Sequence, residues 1–229
     1  MTLTAEPAAT VPDDPEPPAR RGAGRRLAAL AGVGAVVLGG GIALGTWYGG
    51  ASATLDRVEV VLDAQPFACQ QPSDAVTSHQ DINGIAMALP AVRLHPGLAC
   101  SMSFVVLNGS GTDVRLEQVR LPFMGVHSGA GVHAERILQD DVRPSSADDV
   151  AAAFDFEHDR FGVYGIGAGS ATQLVADLSW SHGCMSPGAT EWIRQAPIVT
   201  VSVDGVRRDV AARGAGYAFV GTASSSCDR

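Results

Sequence analysis

The sequence predicts an all-β domain, an antiparallel β-sandwich, carried behind one N-terminal transmembrane helix. Three observations lead there. The run from Leu27 to Leu55 has no charged residue, the region after it alternates short β-rich runs with turn residues, and all four cysteines lie beyond the run. Helical periodicity is nearly absent after residue 54, which separates a sandwich from a mixed fold.

Residues 1–26 hold five prolines (Pro7, Pro12, Pro15, Pro17, Pro18) and almost no bulky apolar side chains. Such a segment cannot bury enough surface to offset its ordering entropy, so a disordered tail is expected. Its acids (Glu6, Asp13, Asp14, Glu16) come first and its arginines (Arg20, Arg21, Arg25, Arg26) last.

A transmembrane helix or uncleaved signal anchor is expected over 27–49. Leu27–Tyr48 is 22 residues, roughly 33 Å as a helix, against a hydrocarbon core of about 30 Å. Four arginines on the near flank and Trp47-Tyr48 at the far end predict a cytoplasmic N-terminus and an extracytoplasmic C-terminal domain. The competing reading is a signal peptide cleaved near Ala53, since Ala51-Ser52-Ala53 has the small-x-small form of a processing site. The apolar run is longer than a usual h-region, which favours the anchor. Arg25-Arg26-Leu27 matches a twin-arginine signal poorly. Both readings export residues 54–229, a segment of the size of one domain with its own core.

Within that segment, Val58–Leu62 is the first expected strand and Ile85–Leu89, after Asn83-Gly84, a weaker one. Ser101–Leu107 ends at the turn-rich Asn108-Gly109-Ser110-Gly111. Val114–Leu121 alternates in part, as a half-buried strand does. Thr172–Trp180 is another strand, and Ile198–Val203 turns through Asp204-Gly205 into Val206–Val210. Asp-Gly between alternating runs is the mark of a type I′ hairpin. Tyr217–Val220 is the last. Seven to nine strands are expected in all. Pro122–Phe161, rich in Gly, His and Asp, reads as long loops with one or two strands and a helical turn at Ala147–Phe154.

Cys69, Cys100, Cys184 and Cys227 are an even set in an exported segment, which implies disulfides. Three pairings are possible. The sequential one, Cys69–Cys100 and Cys184–Cys227, is preferred because each loop is short and each staples one end of the domain.

The order of a strand, the Asn108-Gly109 turn, a strand ending in Leu121-Pro122, Gly169-Ser170-Ala171-Thr172 before a long strand, then a hairpin and Cys227 resembles exported, membrane-anchored immunoglobulin-like proteins of actinobacteria. The resemblance spans roughly residues 100–227 and implies an immunoglobulin-like sandwich. The chain departs from true immunoglobulin domains in lacking a tryptophan between Cys100 and Trp180. What carries over is architecture, and no function follows from it.

Composition narrows the chemistry. All 16 cations are arginine, so Schiff-base, phosphate-loop-lysine and SxxK chemistry are excluded. The net charge of −8 falls on the exported part, which makes nucleic acid an unsuitable partner. GxSxG, HExxH, P-loop, GxGxxG and EF-hand signatures are missing, and no cofactor or catalytic residue is expected. Two minor metal candidates stand out. His182, Cys184 and Met185, with His127 or His133, offer the imidazole, thiolate and thioether of a blue copper site, though only if Cys184 is free. Asp155, Glu157 and Asp159 share one face of an extended strand and could hold Ca²⁺, or could be the charged outside of an edge strand. The expected function is non-catalytic: a single-pass membrane protein whose exported sandwich binds a protein or cell-envelope partner through its loops. The alternatives are an extracytoplasmic metal-binding or redox module and a secreted hydrolase.

Overall fold

The computed structural model describes residues 43–82, 85–138, 141–145, 150–156, 164–181, 183–214 and 216–226. Contacts divide the chain into a unit of Met1–Trp47 and a unit of Tyr48–Arg229. The expected tail 1–26 and most of the Leu27–Tyr48 span lie outside the described residues. Among those residues no helix is long and apolar enough to cross a membrane. Helix α1 runs over residues 43–55 and ends where Asp56 N–H donates to Ser52 O at 2.9 Å.

Thirteen strands follow among the described residues, in three sheets, where a sandwich of seven to nine was expected. The first sheet has the order β1 (Val58–Cys69), β4 (Ala99–Asn108), β9 (Ala171–Trp180), β6 (Val132–Ile137). The second has β10 (Thr190–Ile193), β13 (Tyr217–Val220), β3 (Ile85–Arg93), β2 (Ala75–Ile82). The third has β12 (Val206–Ala211), β11 (Ile198–Val203), β5 (Val114–Leu121), β7 (Ala152–Asp155), with β8 (Gly165–Ile166) beside β5. Between these described strands pairing is antiparallel except for β13 and β3, which run parallel. The all-β class therefore holds.

Strand alternation builds the core. Met102, Phe104 and Val106 of β4, Leu174, Ala176 and Leu178 of β9, and Val199, Val201 and Val203 of β11 belong to one buried cluster. In β5 the alternation breaks at Glu117, because Leu116 pairs with Val201 while Gln118 pairs with Thr200. This bulge lets Val114 and Leu116 on one side, and Val119 and Leu121 on the other, all be buried. Asp204 (φ 50°) and Gly205 (φ 81°) both take positive φ, as the expected hairpin requires.

The helical turn expected over Ala147–Phe154 is corrected in its described part. Ala152, Ala153 and Phe154 are extended and pair with Leu121, Arg120 and Val119. Sheet pairing and the burial of Phe154 override alanine's helix propensity. Cys69 and Cys100 face each other across β1 and β4 and form the expected disulfide. Cys184 is disulfide-bonded too, while Cys227, its expected partner, lies outside the described residues.

Candidate functional site

A shallow cleft is built on the outer edge of the first sheet. A bulge between Ala134 and Arg136 in β6 turns both Glu135 and Arg136 toward solvent. The chain then doubles back, and Ile137 and Val142 exchange N–H···O bonds of 2.8 and 3.2 Å. That return lays Arg143, Pro144 and Ser145 alongside β6. Ser145 N–H donates to Ala153 O at 2.8 Å, fixing the far wall. The resulting space is about 710 Å³ and is bounded also by Val126 and Asp177.

Its charges are ordered. Arg136 Nε donates to Asp177 Oδ2 at 2.8 Å and Nη1 to Asp141 Oδ1 at 3.2 Å, so one guanidinium is braced by two carboxylates. Glu135 accepts from Ser179 Oγ. Val126 is 58% exposed, and Val150 is held beside it by the Gly125 N–H···O Val150 bond of 3.2 Å. A wall of valine and proline facing fixed guanidinium and carboxylate groups can hold a polar chain such as a peptide. The arrangement holds donors and acceptors in place for binding.

Of the metal candidates, Met185, Cys184, His127, His133 and Asp155 fall among the described residues. Met185 is 8% exposed and packed in the core, with its N–H donating to Ser225 O at 2.9 Å. Cys184, being disulfide-bonded, offers no thiolate. Both ring nitrogens of His133 lie at backbone carbonyls, Nδ1 3.0 Å from Gly125 O and Nε2 3.1 Å from Ser181 O. His182 lies outside the described residues, as do Glu157 and Asp159. Asp155 accepts from Gln118 Nε2 at 2.5 Å. Among the described residues no three His, Cys, Asp or Glu side chains gather as a metal site would need.

Sequence reasoning did not single out Arg136, Arg143 or Asp177. Nor did it find a second polar pair, His95 and Asp74. His95 Nε2 stands 2.9 Å from Asp74 Oδ2, and Nδ1 is 2.9 Å from Pro96 O. The bond to Pro96 O, then Asp74, raises the imidazole's pKa above its ordinary value. Burial alone raises the carboxyl of Glu191 on β10. Burial raises Tyr217 as well, whose hydroxyl donates to Pro122 O at 2.9 Å.

No family model matches the chain, and no curated protein matches it. Among solved structures it is similar to an exo-β-N-acetylglucosaminidase of family GH20 from Vibrio harveyi, at 12% identity and TM-score 0.30, over 75% of this chain and 19% of that one. The alkylpurine DNA glycosylase AlkC from Pseudomonas fluorescens gives 11% and 0.27, over 69% of this chain and 31% of that one. AvmM, which catalyses macrocyclization in alchivemycin A biosynthesis, gives 8% and 0.27, over 62% and 90%. The chain thus spans less than a third of the first two proteins.

Proposed function

We propose that the protein is a single-pass, membrane-anchored extracytoplasmic β-sandwich of the immunoglobulin-like kind that binds a protein or cell-envelope component without catalysis. The observation that carries this reading is the change of environment along α1. Leu44, Trp47 and Tyr48 are 65%, 46% and 59% exposed, whereas Ala51 and Leu55 are 4% and 1% exposed in the core cluster. An exposed aromatic pair at the end of an uncharged apolar run is how membrane–water interfaces are marked. Core burial of Ala51 favours retention over cleavage, because cutting after Ala53 would remove a side chain that the domain packs around. That buried residues of the first and third sheets belong to one core cluster supports the sandwich reading, and the β6 cleft supports binding.

The test is the intact mass and N-terminal sequence of the protein recovered from cell membranes after alkaline carbonate washing. A carbonate-resistant chain that keeps residues 27–53 supports the reading. A chain beginning at Thr54, or one released by carbonate, overturns it.

A further inference from the structure

We propose that the end of the domain at which α1 enters rests on the lipid headgroups of the anchoring membrane, with Arg57, Arg115 and Arg207 as its contacts to headgroup phosphates. The inference rests on the anchor reading above and adds a surface to it. Tyr48, Gly49 and Gly50 point three ways around α1, about 100° apart. All three are exposed, and a β-carbon on either glycine would meet nothing within 4 Å. α1 therefore leaves the domain here instead of lying along it, while Ala51 and Leu55 pack into the core. Leu55 is about 10 Å beyond Tyr48 at 1.5 Å per residue. With Tyr48 at headgroup level, whatever surrounds the end of α1 stands beside the membrane surface.

Hydrogen bonds fix what those surroundings are. Gly109 N–H donates to Arg57 O at 3.0 Å, Asn108 N–H to Ser170 O at 2.9 Å and Gly169 N–H to Ser110 O at 3.0 Å. Two glycine-rich turns are thus tied to the end of α1. An ion pair between Arg208 and Asp56 brings the β11–β12 hairpin to the same place. A recess of about 600 Å³ opens between that hairpin and the β4–β5 turn, its lining including Thr112, Asp113, Arg115, Ser202 and Asp204. Ser202 has Arg207 opposite it on one side and Arg115 on the other, so the two arginines share a face about 10 Å apart.

Charge singles this end out. Arg57, Arg115, Arg207 and Arg208 balance Asp56, Asp113, Glu117 and Asp204, whereas the other eight arginines and 16 acids after residue 50 carry the whole −8. An anionic leaflet repels that remainder and meets least repulsion here. Several of the acids are engaged: Asp113 accepts from Ala168 N–H at 2.9 Å, Glu117 from Ser202 Oγ, and Asp56 pairs with Arg208. Arg57 and Arg115 are exposed, and among the described residues no ion pair reaches either; Arg207 has Glu117 only at 3.5 Å. Guanidinium groups so placed can take phosphate oxygens two at a time, on stems long enough to reach back to the headgroups.

The test uses the full chain in lipid nanodiscs, with a fluorophore on Gly111→Cys or Gly129→Cys and a quencher attached to the lipid headgroups. A side chain at either position meets open space. Gly111 lies beside α1, whereas Gly129 precedes Val132, which faces Trp180 at the far end of β9, about 30 Å from Ala171. Quenching should be strong at Gly111→Cys and weak at Gly129→Cys. At Gly111→Cys it should rise when phosphatidylglycerol is added to phosphatidylcholine and fall again in high salt. Replacing Arg57, Arg115 and Arg207 together by glutamine should remove the phosphatidylglycerol-dependent increment and leave thermal unfolding unchanged. A disc-bound chain quenched no more at Gly111→Cys than at Gly129→Cys overturns the docking while the anchor stands. So does quenching that ignores both lipid charge and the triple variant. A chain that does not enter the discs overturns the anchor reading, and this surface with it.

Discussion

A β-carbon placed on Gly131 would stand 2.3 Å from the Cα of Gly183, and one placed on Gly183 would stand 2.1 Å from Ala130 O. Here two backbone segments touch with nothing between them. Ser181 N–H donates to Gly131 O at 2.9 Å and Trp180 Nε1 donates to Ala130 O at 2.8 Å, which locks the contact. The crossing seats the segment leaving β9 against the one entering β6. It thereby sets the path toward Cys184 and the orientation of the cleft's edge strand.

Gly131→Ala and Gly183→Ala should each destabilise the domain severely. Gly131 adds a φ of +71° to the clash, costing about 1–2 kcal/mol by itself for an L-residue. Forced repacking adds about 1–3 kcal/mol. Thermal unfolding should shift down sharply for both, while Gly129→Ala, which meets nothing within 4 Å, leaves it nearly unchanged. Equal melting temperatures for all three would refute the account.

Asn108, 1% exposed, donates through Nδ2 to Thr112 O (2.9 Å), Ile166 O (2.9 Å) and Gly167 O (3.1 Å). Its Oδ1 accepts from Ser110 N–H (3.1 Å) and Oγ (2.6 Å). Asn108→Ala should cost about 3 kcal/mol, because several buried carbonyls lose their donor. Asn108→Asp should be no better, since a carboxylate repels those carbonyls. Urea unfolding of the two variants measures this, and a harmless Asp would show that the donor role is wrong.

His95, held by Pro96 O and then by Asp74, makes stability depend on pH. The folded imidazole pKa lies above the ordinary 6.5, so the protonated form is favoured by folding. This contribution is full below pH 6.5 and fades as pH rises through the raised value. His95→Gln should lower the melting temperature at pH 5.5 more than at pH 9. A difference of the opposite sign, or a constant one, contradicts the assignment.

Replacing both Cys69 and Cys100 with serine opens a loop with a sequence separation of 31. The loss should be about 3–4 kcal/mol by loop entropy. Chemical denaturation of this variant against the wild type gives the figure, and an unchanged midpoint would mean that the β1–β4 ladder alone fixes this end.

Legibility in the sequence followed locality. The Asp204-Gly205 hairpin and the bounds of β5 were readable because turn chemistry and alternation sit within a few residues. β5 still looked irregular, since its bulge at Glu117 answers to β11, some eighty residues away. β2 and β10 were missed: Ala75–Ile82 does not alternate, and Thr190–Ile193 is short and takes its place from β13. The count of strands and the second sheet, to which both belong, were missed with them. The cleft was illegible for the same reason. Arg136 and Asp177 become neighbours only through the β6–β9 register. Cys184 and Met185 looked like ligands by adjacency, yet one is bonded and the other is buried.

The parallel strand β13 sits in the interior of the second sheet, between β10 and β3, and sends Tyr217 and Phe219 into the core at 0% exposure. A sheet whose middle strand is made last cannot close while the chain is still emerging. β3 must wait for more than a hundred later residues before its inner edge is satisfied. The closing of the second sheet is thus tied to the arrival of Val220, after every other strand of that sheet has been made.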